Sequence, residues 1–183
     1  MIGMKIFLAG PIDTQEIDFV HDYRIKYVEK LEKAGFEVIE PYTQTLKKLK
    51  GLGMSPQDIV ANIKNVGKEL QGLKDPYLQA ILRFLSHADI KDLRNFPDSV
   101  TKKEAEAIVN RDLELLRGVD VVVAYLPKPS FGTAIEITKA KDLGKKIFVF
   151  NENEGPIPIF ARHYADGAFK SFDELLSTLA SLK

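Results

Sequence analysis

Asp120-Val-Val-Val-Ala-Tyr125 is the stretch that decides the fold. Its apolar run has no polar interruption, which suits a strand covered on both faces at the centre of a parallel sheet. Working outward, Thr101-Lys-Lys-Glu104 has the spacing of a capping box and opens a helix to about Arg117. Beyond the strand, 127–131 reads as a loop, 132–143 as a helix closed by Gly144, and Lys146–Phe150 as the fourth strand. Towards the start of the chain, Lys5–Ala9 reads as a buried strand ended by Gly10-Pro11. Ile17–Lys33 reads as an amphipathic helix with Val20, Tyr23, Tyr27, Val28 and Leu31 on one face. Gly35 closes that helix, and 36–40 is the second strand, ended by Pro41. Residues 151–158 form a Gly- and Pro-containing loop, and Ser171-Phe-Asp-Glu174 has capping-box spacing at the head of a last helix to about Leu182. Strand and helix alternate, so the expected architecture is α/β: a flavodoxin- or Rossmann-like parallel sheet sandwiched by helices.

The stretch 43–100 differs. Turn formers at Gly51, Gly53, Pro56, Gly72, Pro76 and Pro97 separate short helical pieces at 56–70 and 76–86. It is also basic, with eleven Lys/Arg against six Asp/Glu over 43–103. It is too small and too broken to hold a core of its own, so it reads as a helical insertion in a single domain spanning 1–183. With 45% hydrophobic and 28% charged residues the chain is not a disordered one, and no apolar window is long enough to cross a bilayer. The segment 1–10 is too short for a signal peptide. Cysteine is absent, which excludes disulfides, thiolate metal sites and a cysteine nucleophile. Lys+Arg 26 balance Asp+Glu 26, without the basic excess of a protein that coats nucleic acid. The expectation is a cytoplasmic protein acting on a small molecule, with neither nucleic acid nor membrane as partner.

In such sheets ligands bind beyond the carboxyl ends of the strands, where strand order reverses. Two irregular segments follow strands that flank such a point: Gly10-Pro11-Ile12-Asp13 and Pro129-Ser130-Phe131-Gly132-Thr133. The second leads into a helix N-terminus, whose backbone N–H groups suit an anion or a sugar hydroxyl. An ordinary turn in which Ser130 or Thr133 caps the helix accounts for it equally well. Two acids stand out. Asp112 has Ile108, Leu115 and Leu116 at i−4, i+3 and i+4, so it points inward with the apolar face. Glu136, read in the first turn of its helix and in line with Ala140 and Leu143, also faces in. A carboxylate on an apolar face is costly without a partner, and two converging on one cleft suit a proton donor and a nucleophile or cation stabiliser. An interaction of Glu136 with the helix dipole, and a structural hydrogen bond from Asp112 to a loop, are the competing accounts. His21, His87 and His163 lack metal-ligand spacing, and no metal or cofactor is expected. Gly51-Leu-Gly53 follows no strand, the Lys47-Lys48-Leu49-Lys50 run reads as a solvated face, and Asp120 reads as a loop anchor. Neither a Gly-x-Ser-x-Gly elbow nor a P-loop is present.

Lys5-Ile-Phe-Leu-Ala-Gly-Pro-Ile12 resembles the opening of the nucleoside 2-deoxyribosyltransferase family. Asn110-Arg-Asp-Leu-Glu-Leu-Leu-Arg-Gly-Val-Asp-Val-Val-Val-Ala124 and Ser130-Phe-Gly-Thr-Ala-Ile-Glu136, followed by Ala140 and Gly144-Lys145, extend the resemblance. It covers roughly the first 40 residues and everything from about 104 onward. The family includes transferases that move a deoxyribosyl group between bases, and hydrolases that cut the base from a deoxynucleoside 5′-monophosphate. The resemblance implies that Glu136 attacks the anomeric carbon C1′ and that Asp112 contacts the base and helps protonate it as it leaves. It implies no metal, a nucleoside or nucleotide substrate, and a homodimer or higher homo-oligomer with sites near the interface.

Ser130 bears on the branch. Transferases acting on free nucleosides usually carry an acid there, whereas the hydrolases carry a serine that donates to phosphate without repelling it. Arg162 lies in a segment resembling the one where the hydrolases keep an arginine. The resemblance therefore favours a 5′-monophosphate held by Gly10, Pro11, Ile12, Asp13, Ser130, Gly132, Thr133 and Arg162, with base exchange between deoxynucleosides as the alternative. The chain also departs from the pattern. Phe7 replaces a common tyrosine that orients the glutamate, Gly10-Pro-Ile-Asp13 replaces the hydrolases' Gly-Ser-Ile-Arg, and Pro158 replaces a residue lent to the neighbouring subunit. Phe7 and Pro158 are the best support for a third reading, a nucleotide-binding or sensing module without chemistry.

Overall fold

A computed structural model describes residues 3–12, 15–44 and 100–182. The stretch 45–99, which holds nearly all of the expected helical insertion with His87, Gly51 and the Lys47–Lys50 run, lies outside the described residues, as does Asp13.

The elements are β1 (Lys5–Ala9), α1 (Ile17–Lys33), β2 (Glu37–Ile39), α2 (Lys102–Arg117), β3 (Val121–Tyr125), α3 (Phe131–Asp142), β4 (Lys146–Phe150), α4 (Ile159–Tyr164), β5 (Gly167–Phe169) and α5 (Phe172–Ala180). The strands form one parallel sheet in the order β2-β1-β3-β4-β5. The fold is α/β with helices on both faces. Strand side chains alternate between two layers, as a period of two requires. Ile6, Leu8, Val121, Val123, Tyr125, Phe148 and Phe150 pack with Val20, Tyr23, Tyr27 and Leu31 of α1 and with Phe172, Leu175 and Leu179 of α5. Phe7, Ala9, Val122, Ala124, Ile147 and Val149 pack on the opposite face with Leu116 of α2, Ile137 and Ala140 of α3 and Ala161 of α4. All five residues of β3 are buried, as its unbroken apolar run predicts.

The local signals explain the boundaries. Thr101 and Glu104 form the expected capping box at the head of α2. Gly35 and Gly144 follow helix ends with φ of 82° and 67°, the left-handed conformation that only glycine adopts without strain. Asp120 is the loop anchor: its carboxylate accepts from the Lys5 N–H at 2.8 Å, while its own N–H donates to the Lys5 carbonyl. The sequence reading of 36–40 as a strand is too long. The Phe36 N–H turns back to the Leu31 carbonyl to close α1. The Glu40 carboxylate accepts from the N–H groups of Tyr42 and Thr43 and opens a helical turn at 41–44. Leu143, expected inward with Glu136, is 42% exposed because it caps the end of α3. Four strands were expected from the sequence, and β5 with α4 completes the sheet to five. Among the described residues no helix is long and apolar enough to cross a membrane.

Candidate active site

The chain passes from β1 to β2 on one side and returns to place β3 on the other side of β1. Strand order therefore reverses between β1 and β3, and a cleft opens at their carboxyl ends. The two segments expected to flank the reversal do so. Gly10 and Ile12 line the cleft from the end of β1, Ser130, Gly132, Thr133 and Glu136 from α3 and its cap, and Asp112 from α2. Leu8, Ile108 and Leu113 give it an apolar wall.

Glu136 and Asp112 project into this one cleft from different helices, and each keeps an oxygen buried. Glu136 is the sixth residue of α3, because the helix starts at Phe131 and not at Gly132. It therefore sits in the second turn, beyond the reach over which the N-terminal dipole acts. That weakens the dipole account of its position. Asp112 carries an ion-pair contact of 3.5 Å from its Oδ1 to Arg111 Nε, and Arg111 also donates to the Pro41 carbonyl.

Ser130 is the N-cap of α3: its Oγ accepts from the Thr133 N–H at 3.4 Å and from Thr133 Oγ1 at 3.2 Å. The capping account of Ser130 is thus correct, and the residue lines the cleft as well. With Thr133 donating to its oxygen, the Ser130 hydroxyl hydrogen is what it offers a ligand.

The loop after β1 is tied down by α1. The Tyr23 hydroxyl donates to the Pro11 carbonyl at 2.9 Å, and Arg24 donates to the Gly10 carbonyl at 2.7 Å. Burial pushes the Tyr23 hydroxyl well above its ordinary range, so it stays protonated and keeps donating. A Cβ on Gly10 would stand 2.7 Å from the Tyr23 hydroxyl oxygen, so only glycine admits this packing. Arg24 also pairs with Glu40, and it lines the cleft. The sequence reading passed over both. Arg24 stands four residues after Val20 and three before Tyr27, the same inward spacing that singles out Asp112.

Two expected residues are not brought into the cleft. Pro11 contributes its carbonyl to Tyr23 and is not a lining residue. Arg162 lies exposed in the last turn of α4 and is absent from the cleft wall of the single chain. Beside Ser130, on the other side of α3, runs a second, apolar groove bounded by Leu126, Pro158, Phe160 and Tyr164. Phe131, Ile159 and Phe160 are 93%, 83% and 80% exposed around it. Among the described residues no cluster of three or more His, Asp or Glu stands in a position to hold a metal ion.

A parallel α/β sheet with two carboxylates lining one cleft at its topological switch point defines a class, that of enzymes working on a small molecule at the sheet's carboxyl edge. The family model for nucleoside 2-deoxyribosyltransferase matches residues 6–176, and the chain belongs to that family. Membership makes it an enzyme of nucleoside glycosyl transfer or N-glycosidic cleavage, and it sides with catalysis over a module that only binds. No curated protein sequence matches. Among solved structures, the 2-deoxyribosyltransferase from the psychrotolerant bacterium Bacillus psychrosaccharolyticus is similar at 16% identity and a TM-score of 0.53, over 94% of this chain and 90% of that one. A conserved protein from Enterococcus faecalis V583 is similar at 15% identity and a TM-score of 0.58, over 99% of both chains. At these identities the likeness is one of fold. The CMP N-glycosidase BcmB of Clostridium botulinum covers 96% of this chain and 97% of its own at 16% identity, with a TM-score of 0.44.

Proposed function

We propose that the protein cleaves the N-glycosidic bond of a 2′-deoxynucleoside 5′-monophosphate, with Glu136 at C1′ and Asp112 at the base. The observation that carries this reading is the convergence of Asp112 and Glu136, from separate helices, on one cleft at the sheet's switch point. Departure of the base builds positive charge on the sugar, and a carboxylate beside C1′ stabilises that charge or captures it covalently. As the C1′–N bond breaks, the Glu136 oxygen bonds to C1′ and the leaving nitrogen takes up a proton with the help of Asp112. Water then attacks C1′ and gives its proton to Asp112, which releases the sugar phosphate and regenerates the Glu136 carboxylate and the acid that served the leaving base. The position of Ser130 at the rim supports a phosphorylated substrate: its hydroxyl donates, where an acid would repel the dianion. Gly132 adds a backbone N–H at the same helix end, and Thr133, whose hydroxyl donates to Ser130 Oγ, orients the Ser130 hydroxyl. Asp13 stays in the proposal as part of the loop after β1.

Base exchange between free deoxynucleosides is the second reading, and one observation favours it. Among the described residues Arg24 is the cation of the cleft wall, and it is already engaged by Glu40 and the Gly10 carbonyl. A phosphate would call on Arg162 from another subunit, or on the basic stretch 43–103. We place the protein in the cytoplasm, as a single domain with an insertion, working without metal or cofactor as a homo-oligomer. The resemblance to a family with interfacial sites and the exposed apolar residues beside Ser130 support the oligomer.

Base release from a panel of deoxynucleoside 5′-monophosphates and nucleosides, with and without a second free base, tests the reading by chromatography. Release from monophosphates alone is expected. A new nucleoside formed only when a second base is present supports exchange instead. The variant Glu136→Ala is expected to fold and to lose turnover, and near-normal activity in it would overturn the assignment.

A further inference from the structure

We propose that the Arg24–Glu40 ion pair is a positioning device of the cleft: it fixes the loop after β1 and sets the charge that Glu136 experiences. This rests on the reading of Glu136 as the carboxylate at C1′. Arg24 and Glu40 are 3% and 0% exposed in their side chains. A hydrophobic pair would dock α1 on the sheet as well or better, since two charges taken out of water are repaid only by close geometry and further hydrogen bonds. The pair has those bonds, and they lead to the site. The second amino group of Arg24 holds the Gly10 carbonyl, while the adjacent Tyr23 holds the Pro11 carbonyl. Two successive loop carbonyls are thus held by two successive residues of α1. Carbonyl and N–H point in opposite directions in a trans peptide, so fixing the Pro11 carbonyl on Tyr23 turns the Ile12 N–H the other way.

The electrostatic part follows from who shares the cleft with Glu136. Among the described residues the charged ones in its wall are Arg24 from α1 and Asp112 from α2, with Ser130 and Thr133 uncharged at the head of its own helix; behind them Arg24 is paired with Glu40, and Asp112 with Arg111. Arg24 lines the same cleft as Glu136 and carries Glu40 with it, and the Tyr23 hydroxyl responds electrostatically to all three. Arg24 and Glu40 sum to zero, so the pair itself presents the cleft with a dipole and no net charge. Removing one member exposes it to the other. The Glu40 carboxylate is also held by the Tyr42 and Thr43 N–H groups, which donate to it at 3.1 and 2.6 Å.

The test is the acidic limb of the kcat/KM profile, which reports the free enzyme, with the substrate's own titration common to every variant. Arg24→Gln is expected to move that limb up by about one pH unit, and Glu40→Gln to move it down by about one unit. The double variant is expected to return to within about half a unit of the parent. A purely structural role predicts losses of activity but no shifts of opposite sign. Limbs that move together or not at all overturn the proposal. If Arg24→Gln does not fold, the sign of the Glu40→Gln shift decides alone. Arg24→Lys, which keeps the charge and loses the fork, is expected to raise KM with the limb unmoved. Turnover that survives Glu136→Ala overturns the proposed function itself, whereas turnover lost there with unmoved limbs overturns the role of the pair only.

Discussion

Glu136 and Asp112 were legible as single residues because each interrupts an apolar face at helical spacing, and the structure sends both side chains to the same cleft. Arg24 satisfies the same rule and was passed over, since an arginine on an apolar face is easily read as a long stem reaching water. Here its head group is buried. Arg162 rests on family likeness alone, with no periodicity behind it, and it stands exposed on α4 outside the cleft wall of its own chain. Ser130 holds two roles at once, and a substitution separates them. Aspartate is as good an N-cap as serine, so Ser130→Asp is expected to keep the stability of α3. Its negative charge replaces a donor at the phosphate, so kcat/KM on a 5′-monophosphate is expected to fall at least about tenfold while nucleosides hold or gain. Steady-state kinetics on the matched pair of substrates reads the change, and equal losses on both would remove Ser130 from phosphate recognition.

Elements with strong periodicity or caps were readable: β1, α1 and β4 fall within the bounds that the sequence suggests. The weak ones were not. β5 has three residues, none of them buried, and its place is set by pairing with β4, which no local signal encodes. The loop after β4 shows how elements are tied across the sheet. Glu152 accepts from the Tyr27 hydroxyl at 2.5 Å, pairs with Lys26 at 3.0 Å, and accepts from the Phe172 N–H at the head of α5. Partial burial opposes its charge, but the Tyr27 hydroxyl, Lys26 and the Phe172 N–H outweigh it and hold its carboxyl below the ordinary value of 4.5. A carboxyl lowered on folding contributes stability that is present above its unfolded pKa and is lost as pH falls through the folded one. Glu152→Gln is therefore expected to cost stability at neutral pH and to flatten the decline below about pH 4.5. Urea unfolding of both proteins across that range measures it, and parallel curves would show that the contacts carry no pH-linked stability.

At the scale of the molecule, the parallel sheet and its helical layers were legible because unbroken apolar strands alternate with capped helices. The reversal point between β1 and β3 then places the cleft with no motif required. The stretch 45–99 lies outside the described residues, so its expected part as an insertion stands as a proposal. The apolar rim beside the cleft has a consequence for assembly. Phe131, Ile159 and Phe160 present large rings and branches to solvent next to Ser130. Exposed apolar clusters of this kind mark contact surfaces. Phe160→Glu is expected to lower the particle mass in analytical ultracentrifugation and to reduce turnover with it. A monomeric parent, or an unchanged mass in the variant, would place the assembly surface elsewhere.

The buried pair of Arg24 and Glu40 also bears on heat. The hydration lost by buried charges is worth less as temperature rises, so the penalty for holding them inside shrinks on warming. An interior ion pair is thus a poor stabiliser in the cold and a better one near the melting point. Replacing it with two glutamines is expected to leave denaturant stability at 25 °C within about 1 kcal/mol of the parent, yet to lower Tm by several degrees. A cleft anchored in this way keeps its shape best under the conditions in which the rest of the molecule is closest to melting.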